Sequence, residues 1–333
     1  MEAIGIGDLH LSSFNGHGGW SKYTDGNSDI LILKEAQKAV DFARDQNIFN
    51  IFFYGDICDS PKMSYKAHLA LYDFFSQNAD MKFYVILGNH DRLASNESYG
   101  SSCDLLEKFS LSNVEIFSKP TLKKIDGAYV NFLPFPYSDW KDALNVCHVD
   151  VKGSTMDSGR PSQSEIDPKD YVIIAGHIHT AGNFKKVFYS GTLYQTNFGE
   201  SEEKYFHRIY YKDSKNFEID LIPNTPAIQL HTITVNSSKD LENLPSSPNH
   251  VYRLLINDGC DISPHSYAHL NVAVVKSFMS RKDLKEILNS DLEYVSTSDI
   301  NTEEIFEEIL SKYELSDEEK ENIRNVRLKV LSK

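Results

Sequence analysis

The feature that most constrains this chain is a recurrence: five times, a short apolar run ends in a compact polar cluster. Ala3–Ile6 gives way to Gly7-Asp8-Leu9-His10, and Asn50–Tyr54 to Gly55-Asp56-Ile57-Cys58-Asp59. Val85-Ile86-Leu87 runs into Gly88-Asn89-His90-Asp91, Leu144–Cys147 into His148, and Tyr171–Ala175 into Gly176-His177-Ile178-His179. Apolar runs of this length, alternating with amphipathic helices, read as buried strands of a layered α/β domain. In such a domain the carboxyl ends of the strands converge on one edge, and ligands bind there. Glycine ahead of the polar residues allows a sharp turn and a close approach of backbone.

Taken singly, each cluster has a plainer explanation. Gly-Asn-His-Asp is good turn composition, and Gly-Asp-x-x-Asp fits a turn followed by a helix cap. A histidine after an apolar strand is often a hydrogen-bonded core residue. As a set, the clusters gather aspartates, an asparagine and several histidines, all oxygen or nitrogen ligands for a hard or borderline metal. Residues i and i+2 of an extended chain point the same way. Asp8-x-His10 and His177-x-His179 are therefore each expected to aim two donors at one spot.

Between the clusters, helices are expected over Leu31–Gln46, where Leu33, Val40 and Ala43 recur at helical spacing, and over Tyr65–Gln77. Ser12–Asp29 reads as a long glycine-rich loop, either a lid or a surface excursion. From about residue 228 the texture changes. LHTITV, VYRLLI and VAVVKSF predict three strands, with short helices near Lys239–Leu244 and Pro264–Leu270. Asn224–Pro226 marks a boundary, so the expected division is 1–225, a small α+β unit over 226–298, and a helical tail over 299–333. In that tail Asn301 with Glu304, and Ser316 with Glu319, have capping-box spacing.

The bulk properties narrow the partners. Residues of apolar type make up 41% of the 333, enough for a large core. No apolar run approaches membrane-spanning length, and the N-terminus enters a strand without a signal-peptide pattern. The four scattered cysteines read as reduced thiols, so a cytoplasmic protein with no membrane association is expected. A net charge of −14 weighs against nucleic-acid binding by the chain's own surface. The acid is uneven, however: residues 299–321 hold ten carboxylates and two lysines. Bound divalent cations would offset carboxylates locally.

In this order, Asp-x-His, Gly-Asp-x-x-Asp, Gly-Asn-His-Asp, a lone His and Gly-His-x-His resemble the motifs of calcineurin-like metallophosphoesterases. The likeness covers roughly the first two hundred residues. Within that superfamily, Tyr189–Glu200 (YSGTLYQTNFGE), the small α+β unit and the terminal helices resemble the SbcD-like nuclease subunits of SbcCD-type DNA repair and recombination complexes, bacterial or phage.

The resemblance implies an α/β fold: a metallophosphoesterase β-sandwich flanked by helices, with a small α+β cap and C-terminal helices. It implies two divalent metals, with Mn2+ favoured and Mg2+ admissible. Asp8, His10 and His179 would hold the first, Asn89, His148 and His177 the second, and Asp56 would bridge them. His90 would be a non-ligand proton donor oriented by Asp91. Asp59, where some family members carry histidine, would stand behind the ligands. The implied partners are DNA, an SbcC-like ATPase docked on the C-terminal helices, and a second copy of the chain in a homodimer. Two rival readings use the same residues: a small-substrate metallophosphatase or nucleotide phosphodiesterase, and a catalytically silent scaffold subunit. Lys123, Lys124, Lys185 and Lys186 are candidate DNA contacts. His17, His68, His207, His231, His250, His265 and His269 are read as structural.

Overall fold

Strand β2, Asn50–Phe53, shows how the molecule is layered. Its side chains alternate between two cores, as the two-residue period of a strand requires. Ile51 and Phe53 pack with helical side chains on one side, and Phe52 packs with a second sheet on the other. All four residues are buried, and the three after Asn50 are apolar without alternation, as burial on both faces requires.

The computed structural model describes residues 1–11, 28–92, 111–200, 203–257, 260 and 262–277. The first sheet joins β2 to β1 (Glu2–Ile6), β3 (Lys82–Ile86), β4 (Val114–Phe117), β11 (Lys204–Asp213) and β12 (Asn216–Asn224) in the order β12-β11-β1-β2-β3-β4. Strands β1 to β4 are mutually parallel, and the β11–β12 hairpin joins β1 antiparallel. The second sheet has the order β5-β6-β7-β8-β10-β9. Its strands are β5 (Thr121–Ile125), β6 (Ala128–Leu133), β7 (Leu144–Cys147), β8 (Ile173–Ala175), β9 (Gly182–Phe184) and β10 (Val187–Tyr189). Strands β6, β7, β8 and β10 run parallel, with β5 and β9 as antiparallel edges.

Phe52, Tyr84, Ile86 and Phe117 of the first sheet meet Val130, Phe132, Val146 and Ile174 of the second in the central core. The outer face of the first sheet is covered by α1 (Ser28–Asp45) and α2 (Tyr65–Gln77). Helix α1 turns Ile32, Ala36, Ala39, Val40 and Ala43 inward, the spacing of one helical face. Helix α2 is capped by Ser64, whose side chain accepts from Ala67 N. Loop side chains, among them Phe135, Trp140, Met156 and Tyr171, cover the outer face of the second sheet. The fold is the expected α/β sandwich, with its described long helices on one sheet only.

A third sheet follows: β13 (Gln229–Val235), β14 (His250–Ile256) and β15 (Asn271–Ser277), in that order and all parallel. Parallel neighbours need crossovers. The short helix α3 (Lys239–Glu242) and the 3-10 turn Pro264–Tyr267 supply them. Val235, Leu241, Tyr252, Leu254 and Leu270 form the core of this sheet. Its other face is not free-standing: Ile228, Leu230 and Val251 join the core beneath α1 and α2. Met1–Ser277 accordingly forms one compact unit. Residues 12–27 of the glycine-rich loop, residues 278–298 and the expected C-terminal helices lie outside the described residues. Among the described residues no helix is long and apolar enough to cross a membrane.

Candidate metal centre

The five clusters meet at the carboxyl ends of β1, β2, β3, β7 and β8. The loops after β1 and β2 are zipped together: His10 N donates to Asp56 O at 2.9 Å, Leu11 N to Ile57 O at 2.9 Å, and Asp59 N to Leu11 O at 2.8 Å. Two glycines make the convergence possible. A Cβ on Gly88 would fall 2.1 Å from Asp56 Oδ1, and one on Gly176 would fall 2.5 Å from Asp8 Oδ1. His10, Asp56 and His177 have φ of 50°, 47° and 82°, a left-handed conformation that is unfavourable for L side chains. Such backbone persists only where the surroundings impose it, and it concentrates at functional sites.

Donor atoms gather in two overlapping groups. In the first, ligand atoms of Asp8, His10 and His179 lie within 4.8 Å of one another, with His10 Nε2 3.1 Å from His179 Nε2. In the second, Asn89 Oδ1 is 3.0 Å from His148 Nε2 and 3.1 Å from His177 Nδ1. Asp56 stands between them: its Oδ2 is 3.1 Å from His148 Nε2 and 4.0 Å from His10 Nε2. The structure thus brings together all seven side chains named as ligands. It departs from the extended-chain reading at one place. His177 and His179 turn to different groups, because the left-handed backbone at His177 breaks the i, i+2 alternation.

Behind four of the rings the second nitrogen faces an oxygen, and at His148 and His179 a hydrogen bond to it fixes the tautomer and the ring orientation. His148 Nδ1 donates to Tyr54 O at 2.7 Å. Asp59 Oδ1 lies 3.4 Å from His10 Nδ1, Glu200 Oε1 3.3 Å from His179 Nδ1, and Asp150 Oδ1 3.8 Å from His177 Nε2. His90 Nδ1 donates to Asp59 O at 2.7 Å, leaving Nε2 as its free face, and a His90 nitrogen lies within 4.8 Å of donor atoms of His10 and Asp56.

Electrostatics favour a cation in this pocket. Burial alone would lower the pKa of His148, but the charges of Asp56 and Asp8 outweigh it and raise the ring to about 10. Burial would raise Asp56, yet His148, His10 and His90 hold its carboxyl well below the usual range. Buried carboxylates surrounded by imidazole nitrogens, with no cysteine among them, suit divalent metals bound through oxygen and nitrogen.

A family model for calcineurin-like phosphoesterases matches residues 1–191 of the chain, the segment that carries all seven candidate ligands and His90. The chain belongs to the calcineurin-like phosphoesterase family. Members use two divalent metals for phosphoester hydrolysis, and the Asp and His groups of this phosphoesterase can hold metal ions. Its fold also aligns with a solved structure described as a novel archaeal phosphodiesterase, at 14% identity and a TM-score of 0.34, over 67% of this chain and all of that one. That likeness is too low to bear on activity. No curated protein matches the chain.

Two roles differ from the sequence reading. Asp91 does not touch the His90 ring in any observed contact. Its buried carboxylate accepts from Cys58 N at 2.9 Å and Gly88 N at 2.8 Å, so it pins the β2 loop to the β3 loop. Orientation of His90 comes instead from the Asp59 carbonyl. The lysines also lie elsewhere. Lys123 and Lys124 pair with Val130 and Tyr129 at the start of β6, and Lys185 and Lys186 precede β10. Both positions are at the amino ends of the parallel strands, opposite the metal edge.

Glu200 and Asp150, which stand beside the His179 and His177 rings, escaped the sequence reading. Glu200 closes the YSGTLYQTNFGE segment, but nothing in its spacing tells which ring it faces. His207 fits the structural reading: it is buried against Tyr54 Oη at 3.1 Å, and burial lowers its pKa to about 3. His68 Nδ1 donates to Ser64 O at 3.0 Å, and His231 pairs with His250 at 2.8 Å on the cap. His17 lies outside the described residues.

Proposed function

We propose that this phosphoesterase is a two-metal DNA nuclease, with exonuclease and endonuclease activity, that serves as the nuclease subunit of an SbcCD-type repair and recombination complex. One observation carries the reading. The three-stranded sheet over Gln229–Ser277 is fastened to the segment that backs the first metal pocket: Arg253 Nη2 donates to Phe198 O at 2.9 Å, and Glu200, two residues on, faces His179. A folded unit against the rim of the site extends the surface that a long substrate can touch, which a small phosphomonoester does not require. The chain's acidity fits if an SbcC-like ATPase, docked on residues 299–333, provides most phosphate contacts. A homodimer of the nuclease subunit, acting in the bacterial cytoplasm, belongs to the same reading.

Divalent cations, Mn2+ in preference to Mg2+, would neutralise the phosphodiester oxygens and acidify the attacking water. The chain's own part is positioning and proton transfer. Asp8, His10 and His179 would hold one cation and Asn89, His148 and His177 the other. Asp56 suits the bridge because a carboxylate has two oxygens to share, whereas an imidazole offers one free nitrogen. His90, with Nδ1 committed to the Asp59 carbonyl, presents Nε2 to donate a proton to the leaving oxygen.

The test is cleavage of labelled single- and double-stranded DNA with Mn2+, with and without the ATPase partner, beside a phosphomonoester. Metal-dependent DNA cleavage that changes with the partner is expected. Hydrolysis of the monoester with intact DNA in every arm would overturn the nuclease reading.

A further inference from the structure

The segment after β10 works in two directions. Toward the cap sheet, the Gln195 side-chain amide behaves like a strand edge: Nε2 donates to Leu230 O and Oε1 accepts from Leu230 N, both at 2.8 Å. Three residues on, the Phe198 carbonyl accepts from Arg253 Nη2 and from Thr232 Oγ1, each at 2.9 Å. The Arg253 guanidinium also lies 5.4 Å over the Phe198 ring, and its Nε donates to Thr232 Oγ1 at 3.1 Å. Toward the metal edge, Glu200 folds back into the turn it terminates. Its carboxylate accepts from Thr196 N at 3.0 Å, Asn197 Nδ2 at 3.1 Å and Lys204 Nζ at 2.6 Å, and Thr196 Oγ1 closes on Oε1. Oε1 also faces His179 Nδ1 at 3.3 Å. Thr192 N donates to the His179 carbonyl at 3.1 Å, so the strap grips that residue by ring and backbone.

Glu200 and Lys204 side chains are only 4% and 3% exposed. A buried ion pair alone is weak evidence for anything beyond packing. Here the carboxylate has a further neighbour, a ring whose other nitrogen points at Asp8 and His10. A carboxylate that accepts from one nitrogen of a ligating histidine fixes the tautomer that leaves the other nitrogen's lone pair for the metal. The same turn is anchored to β13 and β14 through Gln195 and Phe198, so a shift of the cap sheet must move Glu200 or break those bonds.

We propose that residues 192–200 with Lys204 form a strap coupling the cap sheet to the first metal pocket, with Glu200 the positioning residue for His179 and Arg253 the residue that holds the strap. This rests on the reading of His179 as a metal ligand. Asymmetry follows: among the described residues the strap's hydrogen bonds reach His179 and, through Tyr194, the Leu9 carbonyl beside Asp8 and His10, so disturbing it should weaken the first metal position more than the second.

Stepwise Mn2+ binding to the full chain, followed by calorimetry and by electron paramagnetic resonance of the paired ions, tests this. His179→Ala and His148→Ala assign the two steps. Glu200→Gln combined with Lys204→Met, which removes both buried charges together, should weaken the first position about 10- to 100-fold. Arg253→Met should weaken that same position about 3- to 10-fold, and Arg253→Lys, which keeps one donor, should recover part of the loss. Circular dichroism confirms that each variant is folded. Unchanged affinities in Arg253→Met, or equal weakening at both positions, would overturn the strap. Two ions still bound by His179→Ala would overturn the ligand assignment itself, a separate failure from one in which His179→Ala loses an ion and the strap variants do not.

Discussion

The two ends of the same parallel strands make an instructive pair. At the amino ends stand Lys123 with Glu115 and Lys186 with Asp170, and Lys82 and Asp126 line the same surface pocket. At the carboxyl ends stand Asp8, Asp56 and His148, all essentially without solvent exposure. Both ends carry charged groups, but only one removes them from water. Exposed pairs gain little from each other because solvent and salt screen them. At the buried end the same types of group shift one another's protonation and call for a cation. Charge makes a site here only where the strands' glycine turns carry it inside.

Substitutions can break this contrast at either end. The largest effect should come from Asp56→Asn, which removes the carboxylate whose Oδ2 stands between His148 Nε2 and His10 Nε2. Phosphodiester cleavage is expected to fall by more than about 1,000-fold, and Mn2+ binding from two ions to one at most, measured by kinetics and metal analysis. Next is His90→Asn, which should retain both ions and lose about 10²- to 10⁴-fold in cleavage. Wild-type cleavage would remove His90 from the proton-donor role, and a lost ion would make it a ligand. His148→Ala should weaken the second metal position selectively, read by anomalous scattering from crystals equilibrated with subsaturating manganese. Equal loss at both positions would contradict separable pockets.

Protonation sharpens the contrast further. In metal-free protein the His148 pKa is raised from 6.5 to about 10, so its contribution to stability is full below 6.5 and is lost as pH climbs through 10. The melting temperature of metal-free protein should therefore fall across that window. Mn2+ affinity should rise with pH over the same range, because His148 must shed a proton to present Nε2. His148→Ala should flatten both trends. The smallest effect belongs to the opposite end: Lys123→Ala and Lys186→Ala should leave phosphoester cleavage within about twofold, since both lysines are paired at the surface.

What could be read from sequence follows from the same physics. Helix α2 begins and ends where its pattern predicts, because Ser64 caps it and its apolar stripe is uninterrupted. Strands β1, β2, β3, β7 and β8 announce themselves as buried runs with glycine or histidine at their tips. Less legible were β9 and β10, only three residues each, and the β11–β12 hairpin, whose outward residues mix charged groups with exposed Tyr210 and Leu221. The candidate ligands could be picked out because their residues sit at fixed offsets from strand ends. Glu200, Asp150 and the true partner of His90 were not, since contacts across the fold leave no local spacing. The left-handed backbone at His177 likewise has no signature in the letters Gly-His-Ile-His.

The central claim is that five strand tips build two cation positions sharing Asp56. Anomalous diffraction at the manganese edge, from crystals of the full chain saturated with Mn2+, tests it most directly. The account predicts two maxima flanking the Asp56 carboxylate, one among Asp8, His10 and His179 and the other among Asn89, His148 and His177. A single maximum, or maxima away from Asp56, would contradict it.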